Sequence, residues 1–249
     1  MSRRSLEEVV AIVADVEGWL SVDQMARLYE VASRVAPGQQ VVEIGSFRGR
    51  STIVLASAVS DGVEVVAIDP HAGNDRGPQE IAGFAQEAQG DHEAFADNLA
   101  AAGVADRVRH VREFSDRAVD AVSGYIELLF IDGAHRYKPA RSDVRMWGSR
   151  VAAGGTMLIH DSFSSIGVTL AIGRELLFGT RFRYVGRSRS LAEYRADLAP
   201  GWRSRVANAS RQLAQLPWFA KNVTVKVLLT VHLGGSMERI TGHRSEWPY

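Results

Sequence analysis

Five short apolar stretches occupy the middle of the chain, and segments with a helical pattern separate them. The stretches are rich in β-branched residues and lack the in–out alternation of a strand with one wet face, so they predict strands covered on both sides. They span residues 39–45, 63–69, 107–113, 125–132 and 156–161. Because strands that alternate with helices form parallel sheets with right-handed crossovers, the pattern predicts a doubly wound, mainly parallel α/β sheet.

Helices are predicted between these strands and ahead of them. The segments RSTIVLASAVS and KPARSDVRMWGSRV follow the first and fourth stretches. The second segment repeats apolar residues at helical spacing, namely Ala140, Val144, Trp147 and Val151. Ahead of the sheet, two further helices are expected at about residues 5–16 and 22–36.

The last part of the chain predicts a hairpin followed by a helical extension. FRYVGR and SLAEYR are separated by only a few residues, which permits an antiparallel hairpin and no further crossover. We therefore predict a seven-stranded sheet with one antiparallel strand, and a helix near residues 203–216. The chain then divides into an N-terminal helical segment (1–38), a core (39–198) and a C-terminal extension (199–249) that serves as a lid or an interface.

Composition narrows the class of protein. Hydrophobic residues make up 46% and charged residues 23% of the chain, and the formal net charge is +0, which gives no support for a nucleic-acid partner. The chain has no cysteine, which excludes disulfides and thiolate catalysis. The most apolar late stretch, VTVKVLLTVHLGG, is too short and too charged to span a membrane, and the N-terminus reads as an amphipathic helix. We expect a cytoplasmic protein.

Candidate binding residues follow the first two predicted strands, where an open α/β sheet binds ligands. The first strand runs into EIGSFRGRS, in which Gly45 permits a tight turn and Gly49 permits close packing of the next helix. The second strand ends at Asp69, whose carboxylate suits the two hydroxyls of a ribose. A generic strand–helix turn with an acidic helix cap is the alternative.

The glycine pattern argues against a dinucleotide. A pyrophosphate site requires G-x-G-x-x-G, whereas this turn reads E-x-G-x-x-x-G. The carboxylate of Glu43 is poorly suited to a phosphate and well suited to a cationic ligand. An adenosine that carries a positive centre therefore fits better than a nicotinamide dinucleotide.

Four motifs make the chain similar to the class I S-adenosylmethionine-dependent methyltransferases over about residues 20–195. They are VVEIGSFRGRSTIVLA, VVAIDPH, LLFIDGAHRYKPARSDVRMW and GGTMLIHDSF. Within this superfamily the chain most resembles the metal-assisted O-methyltransferases, of the catechol and sugar types. The resemblance implies a Rossmann-like fold and these donor-site residues for S-adenosylmethionine: Glu43, Gly45, Ser46, Gly49, Ser51, Asp69, Ser115 and Asp132.

The same resemblance implies a divalent metal, Mg²⁺ or Mn²⁺, and a general base. Counting 28 and 29 positions from Asp132 gives His160 and Asp161 as further metal ligands, and the base lies three residues after Asp132, at His135. Two carboxylates at the ends of neighbouring strands repel each other unless a cation lies between them. Relatives often carry a carboxylate where this chain has His160, so the site has two carboxylates plus waters, or a softer metal, or a second proton acceptor.

The expected reaction is methylation of a hydroxyl on a small molecule or an oligosaccharide. A sugar hydroxyl, for example of a mannose in a methylated polysaccharide, needs a base and a metal more than a phenol does, because its pKa lies far above 7. The alternatives are a catechol or phenol acceptor, a catalytically silent donor-binding protein, and a nicotinamide-dependent oxidoreductase. A homodimer is a further expectation.

Overall fold

A seven-stranded sheet lies at the centre of the computed structural model, which describes residues 4–73 and 85–230. The strands, in chain order, are β1 (Gln40–Ile44), β2 (Glu64–Ile68), β3 (Val108–Val111), β4 (Ile126–Ile131), β5 (Val151–Ile159), β6 (Arg183–Ser188) and β7 (Leu191–Arg195). In space their order is β3-β2-β1-β4-β5-β7-β6, and β7 alone runs in the opposite direction to the other six strands. The predicted mainly parallel sheet with one reversed strand is confirmed.

Helices lie before, between and after the strands. They are α1 (Leu6–Ile12), α2 (Val22–Ala32), α3 (Arg50–Ala58), α4 (Ala85–Ala101), α5 (Tyr137–Met146), α6 (Ile166–Glu175), α7 (Trp202–Leu213) and α8 (Leu216–Thr230). The predicted N-terminal helices and C-terminal helical extension are therefore present. The prediction started β5 at residue 156, five residues late. The first five residues of the strand, VAAGG, contain only one β-branched residue, so they did not indicate a strand.

Both faces of the sheet are covered by apolar layers, as the continuous apolar strands predict. Along β1, Val41 packs into a cluster that contains residues of α1 to α4, while Val42 packs into the cluster on the opposite face. Trp147, which is fully buried, belongs to the second cluster together with residues of α5 and α6. Successive strand residues point to opposite faces, so both layers draw on the same short strands.

The N-terminal helices share this core. Ser5 and Ser21 begin α1 and α2 with complete capping boxes, which satisfy backbone N–H groups at each helix start. Val9 and Leu28 are fully buried in the cluster that covers α3. The division of the chain at residues 38 and 198 stays a prediction. No helix within the described ranges is long and apolar enough to cross a membrane.

The strand order places a ligand crevice at the ends of β1 and β4. The chain winds outward from β1 to β3 and then returns to place β4 on the other side of β1. In such a sheet the connections leave the two central strands in opposite directions, which opens a crevice beyond their carboxyl ends. The predicted site residues follow these strands.

Candidate active site

A cavity of about 850 Å³ opens at the carboxyl ends of the central strands. The predicted site residues that line it are Gly45, Ser46, Ser51, Asp69, Ser115, Asp132, His135, His160 and Asp161. The other two predicted residues, Glu43 and Gly49, do not line the cavity. One cavity therefore brings together residues that are up to 116 positions apart in the chain.

The turn between β1 and α3 depends on its glycines. Gly45 has a positive φ of 84°, and a Cβ at this position would lie 2.2 Å from the carbonyl oxygen of Asp132. Gly49 has a φ of 88°, and a Cβ there would meet Leu99 at 2.6 Å. Both positions therefore require glycine, because of the backbone conformation and because of the close approach. Gly45 allows the turn to lie directly against the end of β4.

Asp69 ties the end of β2 to this turn. Its Oδ2 accepts hydrogen bonds from the backbone N–H groups of Ser46, at 2.8 Å, and Phe47, at 2.9 Å. Its Oδ1 accepts from the backbone N–H of His71 at 2.8 Å. A carboxylate has about four acceptor positions, so Asp69 can still accept from a ligand hydroxyl in the cavity.

Glu43 lies behind the turn and is fully buried. Thr52 donates its hydroxyl to Oε2 of Glu43 at 2.5 Å, while Oε1 has no hydrogen-bond partner among the described residues. Burial raises the pKa of Glu43 to about 8, although the hydroxyls of Ser51 and Thr52 act in the opposite direction. A positive charge nearby would favour the ionised form of this carboxyl group.

Ser115 and Asp143 form a hydrogen-bonded pair on the wall of the cavity. The hydroxyl of Ser115 donates to Asp143, whose pKa burial raises to about 7. Asp143 was not predicted as a site residue, because it lies inside the helix α5 and does not follow the end of a strand. It is buried and lines the cavity beside Ser115.

Two histidines and two carboxylates meet at the ends of β4 and β5. His135 Nε2 lies 2.9 Å from Oδ2 of Asp161. His160 Nδ1 lies 3.0 Å from Oδ1 of Asp132 and 3.5 Å from Oδ2 of Asp161. The sequence predicted that β4 and β5 are neighbours, and their parallel pairing confirms it.

Alternation along a strand would direct one of His160 and Asp161 away from the site, but both residues line the cavity. The strand β5 ends at Ile159, and Asp161 has a left-handed backbone with a φ of 54°. The Asp161 carbonyl accepts from the N–H of Ser165 at 2.9 Å, and Ser164 donates its hydroxyl to Oδ1 of Asp161 at 2.7 Å. This tight turn reverses the direction of the Asp161 side chain, so both residues face the site.

The charges of the cluster stabilise one another. Burial lowers the pKa of His135, but Asp161 and Asp132 outweigh burial and hold it above the ordinary value. The same two carboxylates outweigh the burial of His160 and raise its pKa to about 10. Conversely, the two imidazoles hold the pKa of Asp161 well below its ordinary range, although burial acts against them.

A divalent metal fits part of this cluster. Asp132, His135 and Asp161 each offer one ligand atom, and these three atoms lie within 4.8 Å of one another. The resemblance implied His160, and not His135, as the third metal ligand. Two carboxylate oxygens and one imidazole nitrogen suit Mn²⁺ or Fe²⁺, and two carboxylates with waters suit Mg²⁺.

Three residues outside the predicted set also reach the site. Lys226 on α8 lines the cavity, and its Nζ lies 4.0 Å from Oδ1 of Asp161. Gln24 on α2 contacts His160, and Trp19 packs on Phe47 with ring centroids 5.2 Å apart. Lys226 lies in the late apolar stretch VTVKVLLTVHLGG, in which no site residue was predicted. For Gln24, the S-x-x-Q spacing of a capping box was the only available signal.

Comparisons with known proteins agree with this architecture. A family model described as a methyltransferase domain matches residues 42–162. The structure of the O-methyltransferase NovP is 17% identical, with a TM-score of 0.59, and the match covers 74% of this chain and 84% of that chain. Cofactor-bound Rv0187 from MTB is 20% identical, with a TM-score of 0.51, and the match covers 77% of this chain and 88% of that chain.

A third similar structure is the O-methyltransferase TomG from Streptomyces achromogenes, in complex with SAM. It is 16% identical, with a TM-score of 0.51, and the match covers 78% of this chain and 90% of that chain. The strand order and these likenesses establish the class I S-adenosylmethionine-dependent methyltransferase fold, which the four motifs predicted. All the predicted site residues lie within residues 42–162, the part of the chain that the methyltransferase-domain model matches.

Proposed function

We propose that the protein is an S-adenosylmethionine-dependent O-methyltransferase that methylates a hydroxyl of a small molecule with the help of a divalent metal. One observation carries the proposal: the β1–α3 turn with Asp69 shares a cavity with the cluster of His135, Asp132 and Asp161. A donor site and a group of residues able to remove a hydroxyl proton thus face each other across one space.

The donor is assigned to the side of the cavity formed by β1, β2 and the residues after β3. Asp69 would accept from the ribose hydroxyls, with its carboxylate already oriented by the N–H groups of Ser46 and Phe47. The methionine portion would lie along the Gly45–Ser51 turn, and the adenine would lie beside Ser115. The buried Glu43 behind this turn would favour the positive charge of the donor.

Asp132 and Asp161 are the proposed holders of Mg²⁺ or Mn²⁺. A divalent ion at this place would lower the pKa of the acceptor hydroxyl and orient it. His135 would receive the hydroxyl proton, and the carboxylate of Asp161 at 2.9 Å would stabilise the imidazolium that forms. Most of the remaining rate enhancement would come from positioning, because the donor methyl group is already activated.

The proposed acceptor is a sugar or oligosaccharide hydroxyl, whose high pKa makes both the metal and the base useful. A phenol or catechol acceptor is the second candidate, and the lining of the cavity favours it. Apolar and aromatic residues on its walls include Trp19, Leu20, Tyr137, Ile166 and Val227. Such walls suit a flat, apolar acceptor. A homodimer stays a prediction.

Calorimetry with S-adenosylhomocysteine and with NAD tests the donor assignment. We expect S-adenosylhomocysteine to bind and NAD to give no heat of binding, because the β1–α3 turn lacks the glycine pattern of a pyrophosphate site. Binding of NAD without binding of S-adenosylhomocysteine would overturn the proposal and favour an oxidoreductase.

A further inference from the structure

Arg50 begins α3 on the donor side of the cavity, and its guanidinium pairs with no carboxylate among the described residues. It lines the cavity together with Ser51, which follows it. Burial lowers the pKa of Arg50, and no described acidic group offsets that effect. Arg48, two residues earlier, pairs with Glu17 and Asp91. The turn therefore carries one arginine that described carboxylates neutralise and one that they do not.

The guanidinium of Arg50 is held in place by the segment between α1 and α2. Its Nη1 donates to the carbonyl oxygens of Val16, at 3.0 Å, and Gly18, at 3.4 Å. The segment lies directly on the arginine stem, since a Cβ on Gly18 would lie 3.0 Å from Cδ of Arg50. Nε and Nη2 of Arg50 bond to none of the described residues. The guanidinium thus keeps its full charge and has donors for a further acceptor.

Two other features of the turn favour an anion beside Arg50. Ser46 is buried and lines the cavity, and its hydroxyl has no hydrogen-bond partner among the described residues. Gly49 begins α3 without a side-chain cap, so the cap leaves the N–H groups of the first helical turn to another acceptor. The start of a helix is also its positive end. The hydroxyl, these N–H groups and the guanidinium all suit a negatively charged acceptor.

The position of Arg50 indicates which anion it suits. The lysine and arginine side chains on the described walls of the cavity are Arg50, Arg136 and Lys226. Arg136 precedes α5, and Lys226 lies 4.0 Å from Asp161 in the candidate metal cluster. Arg50 is the one of the three that belongs to the turn beside which the proposed function places the methionine portion of the donor. That portion ends in an ammonium group and a carboxylate, whereas the adenosine portion has no negative charge.

We propose that Arg50 binds the carboxylate of the methionine portion of S-adenosylmethionine and thereby selects a donor with an intact amino-acid end. The inference rests on the proposed function for the position of the donor. Ser46 and the N–H groups at the start of α3 assist by hydrogen bonding. Because Nη1 also holds the carbonyls of Val16 and Gly18, the bound carboxylate and the segment between α1 and α2 meet at one side chain.

The matched probe is decarboxylated S-adenosylhomocysteine, which keeps the adenosine, the sulfur and the amine and lacks only the carboxylate. We expect wild-type protein to bind S-adenosylhomocysteine about 10–100-fold more tightly than this analogue in calorimetry, the range for hydrogen bonds to charged groups. Equal affinities would overturn the proposal and leave the donor assignment intact. If neither compound binds, the donor assignment of the proposed function fails as well.

Arg50→Gln isolates the side chain. We expect this variant to bind S-adenosylhomocysteine about 10–100-fold more weakly than wild type and to bind the analogue within about threefold, which also shows that the donor site is folded. Arg50→Lys should keep part of the preference, because lysine retains the charge but not the planar fork. Arg48→Gln is the control and should keep the whole preference, since described carboxylates already neutralise Arg48. An unchanged preference in Arg50→Gln, or equal weakening of both compounds, would show a purely structural role for Arg50 and overturn the proposal.

Discussion

His135 Nε2 and Asp161 Oδ2 lie 2.9 Å apart, although the two residues come from different strand ends. This contact orients the imidazole and holds the pKa of His135 above its ordinary value. A histidine that accepts a proton beside such a carboxylate is stabilised in its charged form. The pair is therefore the structural basis for assigning the general base.

Replacing His135 by alanine should lower kcat by about 10²–10⁴-fold and leave donor affinity nearly unchanged. The base works only when unprotonated, so wild-type activity should fall as the pH falls through its pKa. The raised pKa of His135 depends on free Asp161 and Asp132 carboxylates. Metal-free protein should therefore protonate His135 above the ordinary histidine value of about 6.5, and a divalent ion on the carboxylates should move this protonation to lower pH. His92→Asn, on α4 and outside the cavity lining, is the control. A normal kcat with an unaltered acidic limb would remove His135 from the role.

Asp69→Ala should weaken S-adenosylhomocysteine binding by roughly 1.5–3 kcal/mol, the scale of hydrogen bonds to a charged group. Part of this loss would come from the turn, since Asp69 also accepts from the N–H groups of Ser46 and Phe47. Asp61→Ala, at an exposed carboxylate after α3, should leave the calorimetric affinity unchanged. Equal affinities for the two variants would exclude Asp69 from the donor site.

Lys226→Met should strengthen Mn²⁺ binding by about 1 kcal/mol, or about fivefold, because it removes a positive charge 4.0 Å from Asp161. Lys221→Met, on the same helix, is the matched control and should bind Mn²⁺ as wild type does. Paramagnetic resonance of free Mn²⁺ measures both affinities. Weaker binding in Lys226→Met would show that α8 supports the metal site in another way.

Gly45→Ala should destabilise the protein by at least about 1–3 kcal/mol, because an alanine Cβ would meet the carbonyl of Asp132 at 2.2 Å in a left-handed turn. Gly90→Ala is the opposite case: this helical position has nothing within 4 Å of the added Cβ, so the change should stabilise α4 by about 0.5–1 kcal/mol. Denaturant unfolding measures both. A neutral Gly45→Ala would contradict the close approach of β1 and β4.

Much of the fold follows from the local sequence, because buried parallel strands and amphipathic helices have distinct apolar patterns. Asp69 and Asp132 were predicted as site residues because they follow the carboxyl ends of two of those strands. The sequence could not show that Asp161 turns back toward the site, since this depends on a left-handed residue held by Ser164 and Ser165. Nor could it place Lys226, whose contact with Asp161 depends on how α8 packs.

The most direct test of the account is transfer of a labelled methyl group from S-adenosylmethionine to a panel of sugar and phenol acceptors, with and without EDTA. We predict transfer to a hydroxyl, loss of transfer in EDTA, recovery on addition of Mg²⁺ or Mn²⁺, and no recovery in Asp161→Asn. Full transfer by metal-free wild-type protein in EDTA would contradict the metal at Asp132 and Asp161. Tight binding of the donor with no transfer to any acceptor would instead indicate a donor-binding protein without catalytic activity.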